Sequence, residues 1–167
     1  MVAVDVVFRA GFGVESRVLR QRPNAGRWTH VGLLFRDGHV FHCDARRGAC
    51  VELWQNFSLG QSQDIGRVSL RCSRPGEARL QATCQEMVGR GLGFADDYCD
   101  WQKNAQSYYC TTFICEALAK AWGFVALGPE TIPRQTIPLL GERRLLLPQQ
   151  LYAAITARLV SHSEIFG

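Results

Sequence analysis

Cys110, His30, His42 and Asp44 are the residues whose types and spacing could do chemistry. A thiol becomes a strong nucleophile once it loses its proton, and an imidazole is the side chain best suited to take that proton near neutral pH. The stretch from Tyr109 to Trp122 reads as a helix, with Phe113, Ile114, Ala117, Leu118 and Ala121 on one apolar face and Gly123 as a stop signal. Ser107 is the expected N-cap, which puts Cys110 in the first turn. Unpaired N–H groups and the positive end of the helix dipole gather there. They favour a thiolate and could hold an oxyanion during acyl transfer. A small buried apolar residue is the bland alternative for any free cysteine. Cys115 is a weaker rival, more than a turn inside the same helix, where the dipole has faded and burial is expected.

A nucleophile of this kind needs a base, and the base needs a third group to orient it. Trp28 to Phe35 and His39 to Cys43 read as two strands around Arg36-Asp37-Gly38. A two-residue Asp-Gly loop would put His30 and His42 on opposite faces. A three-residue loop with Gly38 left-handed pairs Phe35 with His39. His30, Gly32, His42 and Asp44 then share one face, and Val31, Leu33, Phe35 and Phe41 take the other. The hydrophobic pattern favours this second register. Either His42 or Asp44 can be the third group beside His30.

Other elements must position these residues. Val2 to Phe8 is a β-rich run, and Val14 to Arg22 could be a short helix. Ala49 to Trp54 and Arg67 to Cys72 are further strands. Gln55 to Ile65 reads as a loop with at most one helical turn. Pro75 to Val88 reads as a helix with Leu80, Cys84, Met87 and Val88 inward. Phe94 to Ala105 is irregular, acidic and aromatic. Leu127 to Leu147 is a proline-punctuated connection, and Pro148 to Leu159 is a last helix. The expected class is α+β, an antiparallel sheet or partial barrel packed against helices, in one domain over residues 1–167.

Thr29-His30-Val31-Gly32-Leu33-Leu34, Asp37-Gly38, Val40-Phe41-His42 and Tyr109-Cys110-Thr111-Thr112-Phe113-Ile114, in this order, resemble the circularly permuted papain-like hydrolases. These include permuted NlpC-type amidases, YiiX/YebB-like proteins and lecithin retinol acyltransferase-like enzymes. Asp5 to Gly13 and Phe94 to Tyr109 extend the resemblance over most of residues 2 to 123. It implies a histidine base that precedes the nucleophilic cysteine, with a polar residue about a dozen positions after the base. His30, Cys110 and His42 match those places. Thr112 departs from relatives that carry Glu or His two residues after the nucleophile.

The implied activity is cysteine hydrolysis of an amide through an acyl-enzyme, on a peptide-like or acyl-containing substrate. One alternative is a thioesterase, lipase or lipid acyltransferase with the same triad. Another is a non-catalytic module, or a metal site of His30, His42 and Cys110. No CxxC pair supports a structural zinc site, and no cofactor or metal is expected. The net charge of +4 comes from scattered arginines and does not suggest a nucleic-acid face. No apolar run approaches a membrane span. With no signal-like h-region and an odd set of seven cysteines, free thiols in the cytoplasm are expected.

Overall fold

Alternating apolar residues build the central sheet. Val4, Val6 and Phe8 face the main core from β1 (Val2–Arg9), and Asp5, Val7 and Arg9 face the other way. The computed structural model describes residues 1–11, 26–59, 64–94, 107–127, 132, 134–137 and 141–161. β2 (His30–Leu34), β3 (His39–Asp44), β4 (Gly48–Leu53) and β5 (Ile65–Cys72) complete an antiparallel sheet in the order β4-β3-β2-β1-β5. The expected α+β architecture, with a sheet packed against helices, is therefore present.

The β2–β3 hairpin has the three-residue loop. Phe35 N–H donates to His39 O at 3.0 Å, and Gly38 takes φ 83°. Gly32 stands opposite His42, with Val31, Leu33, Phe35 and Phe41 in the core.

Helices cover both faces of the sheet. α2 (Arg74–Gly89) contributes Leu80, Cys84 and Met87 to the main core, and α3 (Cys110–Trp122) contributes Phe113, Ile114, Ala117, Leu118 and Ala121. Leu151 and Ile155 of α4 (Pro148–Ser161) join them. On the opposite face α1 (Trp54–Ser58) lays Phe57 over Val7 and Val40. This short helix lies at the start of the Gln55 to Ile65 stretch, expected to be loop with at most one helical turn.

Two expectations are corrected. Leu127 to Leu147 contains a hairpin of β8 (Arg134–Ile137) and β9 (Gly141–Arg144). The N-cap of α3 is Tyr109, because Ser107 and Tyr108 form β7, which pairs in parallel with β6 (Gly93–Phe94). Tyr109 N–H donates to Thr112 Oγ1 at 3.0 Å, so the threonine three residues on satisfies the cap residue's amide. The Val14 to Arg22 helix lies outside the described residues, as does nearly all of Phe94 to Ala105.

Candidate functional site

The site forms where β2 and β3 stop pairing. Their ladder runs from Leu34↔Val40 to Gly32↔His42 and goes no further toward His30. Backbone N–H groups alternate sides along a strand. Since Phe35 N–H points toward β3, Val31 N–H does too. It meets no strand carbonyl there and instead faces the Cys110 sulfur, whose anionic form it favours. A strand N–H lies near the plane of its sheet, so the sulfur sits at the sheet's opened edge, beside the residue that follows His30. Nearby, Cys43 Sγ donates to Tyr108 O at 3.0 Å and ties β3 to the approach of α3.

Cys110 is the first residue of α3, and the first turn is clamped from outside. Leu146 N–H donates to the Tyr109 hydroxyl at 2.9 Å, and Thr111 Oγ1 donates to Leu146 O at 2.6 Å. The thiol is not acidic at rest, contrary to expectation. Burial pushes it up to about 12, although the N–H groups of Thr111, Val31 and Cys110 itself, and the charge of Arg9, pull the other way. The helix terminus favours the anion, but loss of water costs more.

His30 Nε2 and His42 Nδ1 lie 2.9 Å apart, with the rings near perpendicular. Between the two alternatives for His30's polar neighbour, the geometry selects His42. Asp44 instead accepts from Arg46 N–H, from Arg47 N–H and from the Arg47 guanidinium at the β3–β4 turn. Burial raises the Asp44 carboxyl, but those bonds from Arg47 and Arg46 outweigh it and hold the group below its ordinary range.

Glu52 completes the line and was not singled out by sequence reasoning. Its Oε1 lies 2.8 Å from His42 Nε2, and its Oε2 lies 3.2 Å from Arg47 Nη2. The bond from His42 holds its carboxyl low, with Arg47 assisting against burial. Cys50 was also missed as a site residue. It pairs across from His42, and its sulfur is 3.5 Å from His42 Nε2. The available signal was the alternation of Cys50 and Glu52 along one strand, but it needed the β3–β4 register to be read.

This network fixes the tautomers. An ionised Glu52 can only accept, so the tautomer of His42 that it selects carries its hydrogen on Nε2. His42 Nδ1 then accepts from His30 Nε2–H. His30 Nδ1 is left with a free lone pair, which is what a general base requires. Burial, His42, Arg9 and Arg47 all push His30 well below its ordinary range, which keeps it neutral.

Phe57 closes over both rings at centroid distances of 5.7 Å and 5.3 Å, and the Arg9 guanidinium lies over the Phe57 ring, 4.4 Å from its centroid. Gly32 makes the closeness possible. A Cβ there would meet Val40 Cγ1 at 2.6 Å and Phe57 Cε2 at 3.2 Å. His42 is fully buried, whereas His30 keeps some exposure.

Cys115 is buried within the core, raised to about 12 by that burial. Of the aromatics considered for a cleft, Tyr108 and Tyr109 are buried, and Tyr98 and Trp101 lie outside the described residues.

No protein-family model matches the sequence, and no curated protein does. A solved structure does match: the crystal structure of the metalloprotein YiiX from Escherichia coli O157:H7, at 16% identity and TM-score 0.63, covering 89% of each chain. At that identity the likeness concerns the fold, which is that of a YiiX-like protein.

Proposed function

We propose that this chain is a cysteine hydrolase on a permuted papain-like scaffold, cleaving an amide bond through a Cys110 acyl-enzyme. The observation that supports it best is the unbroken line from Glu52 through His42 to His30, which ends one residue from the strand amide that favours the Cys110 anion. In this reading His30 Nδ1 takes the thiol proton as the sulfur attacks the carbonyl carbon. A neutral, buried thiol stays protected until that moment. The N–H groups at the start of α3 offer hydrogen bonds to the oxyanion. The resulting imidazolium is stabilised through His42 toward Glu52, then donates its proton to the departing amine. Water releases the acyl group by the reverse use of the same base.

The YiiX structure is described as that of a metalloprotein. Among the described residues, the donors that fit a cation are His42, Asp44 and Cys50, whose ligand atoms all lie within 4.8 Å of one another. Imidazole nitrogen, carboxylate oxygen and thiolate together suit zinc. Cys110 is not part of that group, and the hydrolytic route uses no step at it.

The test is labelling by an electrophilic acyl probe alongside turnover of peptide amides. Cys110→Ala should abolish both. His30→Ala should lower kcat by about 10²–10⁴-fold, the range of a lost general base. Turnover retained by Cys110→Ala removes the proposal. Cleavage of acyl esters but not amides would move it to the thioesterase or acyltransferase class.

A further inference from the structure

The triangle of His42, Asp44 and Cys50 overlaps the proposed relay at one atom. Cys50 Sγ is 3.5 Å from His42 Nε2 and 3.9 Å from Asp44 Oδ2. Donors around a tetrahedral ion at bond lengths of about 2.0–2.3 Å stand roughly 3.3–3.8 Å apart. Those two separations need little adjustment, and the third, between His42 and Asp44, lies within 4.8 Å and must shorten as the two side chains turn toward the ion. The strands supply this spacing directly: His42 and Cys50 are opposite each other in the β3–β4 ladder, and Asp44 is two residues along on the same face. A cation's charge is already provided for. Arg47 bridges the carboxylates of Asp44 and Glu52 from a half-exposed position, from which its side chain can swing into water.

We infer that His42, Asp44 and Cys50 bind a borderline-soft divalent cation such as Zn²⁺, and that loading this site switches off the Cys110–His30 pair. The metal-binding half stands alone, whereas the switching half rests on the hydrolase reading. The cation and Glu52 compete for His42 Nε2. When the metal takes that lone pair, the ring hydrogen moves to Nδ1 and points at His30. His30 Nε2 must then accept, so its own hydrogen moves to Nδ1, where the base lone pair had been. Each histidine keeps one ring hydrogen, Cys50 releases its thiol proton to solvent, and Glu52 is freed to serve as a fourth ligand. No oxidation or reduction is involved. Thiolate and imidazole ligation selects zinc-like ions over magnesium or calcium, which prefer oxygen.

The experiment uses the full chain freed of metal, titrated with Co²⁺ or Zn²⁺ at neutral pH. Co²⁺ should bind at about one equivalent with a thiolate-to-metal charge-transfer band in the near ultraviolet. Cys50→Ser should lose that band, and Asp44→Asn, which keeps a side-chain acceptor for the turn, should weaken binding. Zn²⁺ should slow iodoacetamide labelling of Cys110, followed by mass spectrometry, by about tenfold or more in the unaltered chain, equivalent to at least about 1.4 kcal/mol in the barrier. It should change the rate far less in Cys50→Ser. No bound Co²⁺, or a band that survives Cys50→Ser, overturns the site. A Cys50-dependent band with unchanged Cys110 labelling overturns the switch. Failure of the hydrolase reading would instead appear as absent turnover in the metal-free chain, with the Co²⁺ band intact.

Discussion

His30 carries the clearest consequence at the residue scale. Its folded state favours the neutral ring, because burial and the charges of Arg9 and Arg47 oppose an imidazolium. Between the folded value and the ordinary histidine value of about 6.5, the unfolded chain binds more protons than the folded one. Stability must therefore rise with pH through that window and be lost as pH falls through it, with no further change from this group below the folded value. The slope from this group approaches about 1.4 kcal/mol per pH unit. Melting temperature should decline from pH 7 to pH 5, and His30→Gln should flatten the decline. An unchanged slope in that variant would mean the ring is freely hydrated. Glu52 and Asp44 act lower on the scale. Their carboxyls are held down in the fold, so their contribution is present above the ordinary carboxylate range and is lost only as pH falls through their lowered values.

At the scale of elements, α1 is a helix of five residues that owes its place to one side chain. Phe57 is fully buried and covers the two imidazoles, and Trp54 stacks on it at 6.1 Å. Phe57→Ala should cost about 3–5 kcal/mol, as for a large aromatic removed from a core. It should also admit water to the ring pair, so the His30 pKa, read by NMR titration, should rise toward its ordinary value. Loss of stability without that rise would leave α1 as packing alone. Elements differ in how much of them the sequence made visible. Alternation in β1, β2 and β3, the apolar stripes of α2 and α3, and the Gly38 loop were all legible, because each is a local pattern with a local cause. The N-cap was misplaced because the parallel pairing of Ser107–Tyr108 with Gly93–Phe94 delays the helix, and no local signal reports that pairing.

Across the whole molecule, one sheet separates two environments. The larger core holds α2, α3 and α4 against one face, and the opposite face carries both histidines under α1. Among the described residues six cysteines are free. Cys43, Cys72 and Cys84 are raised by burial, which leaves them inert to oxidation at neutral pH. Packing rather than cross-linking holds the fold, so adding a reductant should leave the melting temperature unchanged. The unfolded, unreduced chain should accept a thiol label at each of those six positions. A drop in melting temperature with reductant would reveal a disulfide that contradicts this account. Among the described residues no helix is long and apolar enough to cross a membrane.

The sequence by itself determined the strands and helices, the hairpin register that sets His30 and His42 on one face, and Cys110 at the start of a helix. Each follows from side-chain period or turn chemistry within a short span. Only the tertiary structure decided that His42 rather than Asp44 meets His30, that Glu52 and Cys50 stand beside His42, and that burial leaves the Cys110 thiol protonated. Those outcomes depend on which strands become neighbours and how much water they exclude. β5 pairs with β1 rather than β4, and β2 parts from β3 where α3 arrives. No stretch of chain holds that information alone, because desolvation is a property of everything packed around an atom.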